Sequence, residues 1–185
     1  MTSSETPPAG LVQSQLEFFQ IDEDVISLVR RNKARLMNYA GRALETVFSQ
    51  TELNPEVAHY FSITENVAYL RAGMLAHCDL VFSARFDTAY FEAIDQMGLR
   101  HSKLDFPTHV YSAAYSNMLC GMQALGMKWR PRFSPDLMQA LTRMAVFDME
   151  MTIAAFHRHQ AEKQAALQAD SAKLREMLRH NPPAA

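Results

Sequence analysis

The chain is poor in the residues that build turns and crosslinks: of 185 residues only six are glycine, eight proline and two cysteine. With no strong Asn-Gly hairpin turn and little alternation of apolar and polar residues, a sheet-based architecture is excluded and an all-α one is left. Cys78 and Cys120 sit among apolar residues without Cys-X-X-Cys spacing. That removes a disulfide framework and a thiolate metal site, and it points to a reducing compartment. A block of positive charge is also missing. Eighteen Lys and Arg stand against 20 Asp and Glu, so nothing electrostatic draws the chain to nucleic acid or an anionic membrane. No apolar run approaches the roughly 18 residues that cross a bilayer, and the opening from Met1 to Pro8 has neither part of a signal peptide. The expectation is a cytoplasmic protein of one domain, for which 48% hydrophobic content supplies a substantial core.

What is present is helical periodicity. Residues 1–15 are expected to be loose, with Leu16, Phe18, Phe19 and Ile21 forming a short packing segment. Asp22 is placed to cap a helix through Val25, Leu28 and Val29, and a longer helix follows with Leu36, Ala40, Ala43 and Val47 on one track and Met37, Leu44 and Phe48 beside it. Asn54 and Pro55 start a short turn containing Val57, Tyr60 and Phe61. The next stripe reads Val67, Leu70, Met74, His77, Val81. A helix from Phe86 to Leu99 ends near His101, and Pro107 fits the first turn of the helix after it, which carries Tyr111, Tyr115, Met118 and Met122. Ser134 and Pro135 cap a last helix that starts with Leu137, Leu141, Met144 and Phe147 and turns polar on its way to Leu178. From Gln160 only Leu167, Leu174 and Leu178 mark an apolar stripe, too thin for a helix without a partner chain or further domain. The twelve methionines read either as plain helical core or as adaptable walls around a flat ligand.

Chemistry enters with His101, which falls on the stripe Tyr90, Ile94, Met97, His101, Leu104. Steps of four and three put these side chains on one helical face, so the imidazole points inward, where an unpartnered polar ring costs about 1–3 kcal/mol. An inward histidine at a helix end, a proline junction, six to eight helices and Met- and Phe-lined surroundings describe a globin-like pocket. There a neutral imidazole binds haem iron with one nitrogen and gives the proton on the other to an acceptor.

Gly98, His101, Pro107 and Tyr111 then carry a family likeness. A glycine three residues before a proximal histidine, a proline six after it and a tyrosine ten after it resemble the haem-binding signature of the globin-coupled sensors. Val110 stands where the family has another aromatic. Phe82, 19 residues before His101, matches the end of the family's distal helix, and Asp148 to Glu150 resembles an acidic stretch of its final globin helix. The resemblance implies a globin-like sensor domain over residues 16–157, with an N-terminal extra segment and a long C-terminal helix. Residues 158–185 would then be an extension or linker toward a signalling domain.

It further implies haem b (iron protoporphyrin IX) with His101 as the iron ligand, Tyr111 either orienting that ring or packing in the core, and Phe48, Leu70, Gly73, Met74 and Met97 around the group. Counted without gaps, Phe48 occupies the position of a distal tyrosine that donates to bound oxygen, and Gly73 that of a polar threonine. Tyr39, His77 and Tyr60 are weighed as substitute donors; Tyr39 points away from Phe48, and His77 reads better as a satisfied core histidine. Arg71, Arg100, Lys103 and His109 are rim candidates for the propionates, while Ser102 and Lys103 are expected to be solvated. The function implied is non-enzymatic sensing of a diatomic gas (O2, CO or NO), relayed through a homodimer of the last two globin helices. The alternatives are a standalone oxygen-binding or redox globin and a haem-free helical sensor or scaffold.

Overall fold

The computed structural model describes residues 9–56, 58–61 and 64–180. Helix α1 (Ala9–Phe18) begins ahead of the packing segment expected at Leu16; it buries Val12 and Leu16 and leaves Phe18 in solvent. The Asp22 carboxylate accepts the Val25 N–H at 2.9 Å, satisfying a free donor at the start of α2 (Glu23–Glu52). α2 is one continuous helix rather than two. Its basic stretch stays helical because its cations find partners across the fold: Arg30 donates to the carbonyls of Ser83 and Ala84, Lys33 pairs with Asp79, and Arg35 donates to the Pro131 carbonyl.

A 3-10 turn (Ala58–Phe61) leads into α3 (Thr64–Ser83), α4 (Thr88–Lys103), α5 (Thr108–Lys128) and α6 (Pro135–His180). Val57 and the side chains of Tyr60, Phe61 and Leu178 lie outside the described residues. Asp87 caps α4 by accepting the Tyr90 N–H, and α4 continues past Leu99 to Lys103. Leu104 is therefore the residue that ends the helix, and it is 50% exposed instead of completing the inward stripe. Pro107 stands one position earlier than expected, at the cap of α5, where its carbonyl accepts the N–H groups of Val110 and Tyr111. The Ser134 hydroxyl accepts from Leu137 N at 3.2 Å, with Pro135 the first residue of α6.

α2 packs on α3 and α5, and α4 packs on α6, which also touches α2 and α5. The core between them holds Leu36, Leu44, Leu137, Leu141 and Phe147, with Phe19, Phe86 and Tyr90 around the Phe147 ring. Met97, Met118, Met122 and Met144 are buried in it, and Met37, Met74, Met138, Met149 and Met151 pack against it. Gly98 sets the fit of α4 on α6: a Cβ there would meet Ala155 Cβ at 2.6 Å and Phe156 N at 2.7 Å. Backbone cannot retreat as a side-chain tip can, so only glycine permits this approach. Past the body α6 runs on, and every described side chain from 161 to 177 is exposed. No helix among the described residues is long and apolar enough to cross a membrane.

Candidate functional site

The last turn of α4 presents His101 half-buried, its ring 5.3 Å from that of Phe106 and 5.0 Å from that of Tyr111. Burial, aided by the charge of Arg100, pushes the imidazole down to about 4, so it is neutral at ordinary pH. Neither ring nitrogen has a hydrogen-bond partner among the described residues, and a neutral ring in that condition has a lone pair to offer. Tyr111 is buried beside it and its hydroxyl reaches the Met97 sulfur at 4.0 Å. Burial and then the charge of Asp148 push this phenol up, so it keeps its proton. Tyr111 therefore touches both His101 and Met97.

The residues expected on the opposite wall lie on α2 and α3. Leu70, Gly73 and Met74 are half-buried, α3 and α4 hardly pack on one another, and a Cβ on Gly73 would meet nothing within 4 Å. Phe48 is buried at the end of α2 with the Arg71 guanidinium 5.6 Å from its ring centroid. Arg71 also bonds Glu45 at 2.9 Å, leaving its buried Nε without a partner. Of the other rim candidates, Arg100 and Lys103 are exposed and His109 is engaged by Glu56 at 2.9 Å. Tyr39 packs against Phe133 at 5.5 Å. Ser102, expected in solvent, is 2% exposed because α6 covers it, with Gln160 donating to its carbonyl.

These residues fit an iron porphyrin. That group brings four nitrogen ligands of its own and asks the protein for one neutral imidazole beside an open apolar wall. Among the described residues no group of three or more His, Cys, Asp or Glu could hold a metal ion unaided.

A second polar cluster is buried in the core. Asp148, fully buried on α6, accepts the Tyr90 hydroxyl at 2.9 Å, the Tyr115 hydroxyl at 2.8 Å and His77 Nε2 at 2.9 and 3.0 Å. Each donor belongs to a different helix, α4, α5 and α3. His77 is thus the core histidine expected, satisfied at one nitrogen, while its buried Nδ1 has no partner. Sequence reading passed over Asp148 as an anchor, although it stands four residues after Met144 and seven after Leu141, on the apolar track of α6.

Burial opposes a charged His77, and so does Arg100, yet the charge and hydrogen bonds of Asp148 outweigh them and raise its pKa above 6.5. A raised histidine contributes stability that is complete below the unfolded value and lost as pH rises through the folded one. The urea midpoint is therefore expected to fall on going from about pH 6 to about pH 9, and the fall should flatten in His77→Gln.

The sequence profile of the family described as Protoglobin matches residues 9–162. Among solved structures, the "globin domain of Geobacter sulfurreducens globin-coupled sensor" superposes with a TM-score of 0.69 at 12% identity, over 78% of this chain and 96% of that one. The shared fold is globin-like, and the described residues of this chain form six α-helices with a long last one. No curated protein sequence matches the chain.

Proposed function

Since the chain belongs to the protoglobin family, we propose that it binds haem b through His101 and holds a diatomic gas there. The observation that carries this is the half-buried imidazole in the last turn of α4, held between Phe106 and Tyr111, whose nitrogens have no partner among the described residues; the apolar wall expected across from it is that of Phe48, Leu70 and Met74. Haem, when bound, supplies reversible binding of O2, CO or NO. His101 supplies the ligand nitrogen, Phe106 and Tyr111 limit the rotation of its ring, and Leu70 and Met74 keep water from the facing side. Phe48 has no donor, so a polar diatomic ligand beside it gains nothing from this wall and neutral CO loses nothing.

The reading is binding in the manner of a standalone globin, without catalytic turnover. A gas sensor that relays through a homodimer of α5 and α6 is the second reading. It is favoured by the exposed run of α6, where a partner chain or signalling domain would attach.

Absorption spectra of haem-reconstituted protein in ferric, ferrous and CO-bound states test the proposal: a Soret band that shifts with CO is expected. A colourless protein that takes up no haem would leave the haem-free scaffold reading in its place. Phe48→Tyr should slow O2 dissociation about tenfold in stopped flow, the equivalent of about 1.4 kcal/mol from one added hydrogen bond. An unchanged rate would take Phe48 out of the gas-facing wall.

A further inference from the structure

A histidine that binds a metal through one nitrogen needs an acceptor for the N–H on the other, commonly a carboxylate, a carbonyl or a water. His101 has no protein partner of this kind among the described residues. Beside its ring is a cavity of about 10 Å³ whose polar edges come from His101, Thr108, Tyr111 and Thr152. That is close to the room one water molecule takes, and a buried water needs two or more polar neighbours.

Thr152 is the group on this cavity that is out of order. It is 1% exposed, yet its Oγ1 has no hydrogen-bond partner. Hydroxyls within helices usually turn back to the carbonyl four residues earlier. Ser49, Ser83, Ser112 and Thr142 all do so here, at 2.7–3.0 Å. Thr152 does not; its hydroxyl lies close enough to the Tyr111 phenol to influence it without making a well-formed hydrogen bond, and both line this cavity.

We infer that Thr152 is a positioning residue for the His101 imidazole: through one water in this cavity, its hydroxyl accepts the N–H of the ring nitrogen turned away from iron. This rests on the haem binding proposed above. The link fixes the ring's rotation, makes its iron-facing nitrogen a stronger donor, and ties the ligand to α6 as well as α4.

Resonance Raman spectroscopy of the ferrous, ligand-free holoprotein reads the iron–histidine stretch, which falls when the imidazole loses an acceptor. Thr152→Val keeps the shape and removes only an unpaired polar atom, so folding and haem content should hold while the stretch moves to lower frequency. Thr152→Ser should restore it. A wild-type frequency in Thr152→Val, with the Soret band intact, overturns the inference and leaves haem binding standing. A shift in Tyr111→Phe but not in Thr152→Val also overturns it, giving the role to the phenol. A wild-type protein without a Soret band removes both.

Discussion

Replacing Asp148 by alanine is expected to cost about 3–5 kcal/mol of folding stability, the loss typical of removing one partner from a buried charged cluster. The carboxylate is fully buried and satisfies donors from three helices. Without it the hydroxyls of Tyr90 and Tyr115 and the His77 ring stay in the core with nothing to accept their protons. Burial, reinforced by the charge of Asp148, pushes both phenols well up, so neither can relieve the defect by ionising. Urea unfolding followed by far-ultraviolet circular dichroism measures the effect. A loss below about 1 kcal/mol would mean that the three donors find other acceptors when the carboxylate is gone. Asp148→Asn keeps the volume and one acceptor, so its loss should be smaller.

His101→Ala should do the reverse: abolish the Soret band of reconstituted protein and leave the fold standing. The imidazole is half-buried and packs on the rings of Phe106 and Tyr111 without a hydrogen bond among the described residues, so its removal strips no buried polar group of its partner and the helices need not move. Haem stoichiometry by the pyridine haemochrome method and helicity by circular dichroism separate the two outcomes. Retention of both haem and a wild-type spectrum would show that another side chain holds the iron. The contrast with Asp148 is physical: one residue joins four helices by hydrogen bonds, while the other stands in the last turn of one helix and touches only two rings.

Much of the proximal side could be read in the sequence because it is written in a short segment. Gly98, His101, Pro107 and Tyr111 lie within two helices and one turn, and local rules foretell a helix starting at Pro107, one position off, and an inward Tyr111, whereas the close approach of Gly98 to Ala155 on α6 is not local. The remainder depends on contacts between distant residues. The Asp148 cluster joins positions 77, 90, 115 and 148, and no period along the chain announces that they meet. Ser102 looked like an exposed helix end because nothing near it foretells Gln160 lying over it. Two helices were expected where α2 is one, and Asp79, Ser83 and Pro131, all distant in sequence, partner the cations of its middle stretch.

The turn after His101 is bound to α6 at a definite place. Asp105 accepts from Gln160 and Lys163, and on α4 Asp95 accepts from Arg158 and His159. Beyond this clasp, from 164 to 177, every side chain is exposed, and the helix rests mainly on backbone bonds, intrinsic propensity and pairs within the helix such as Lys173 with Asp170. Its costly nucleation has been met by the packed part of α6, and each further residue then adds a propagation factor of only about 1–1.6 near 0 °C. A helix so close to balance is readily lengthened or shortened by whatever packs against it. Small biases of free energy would therefore set its working length.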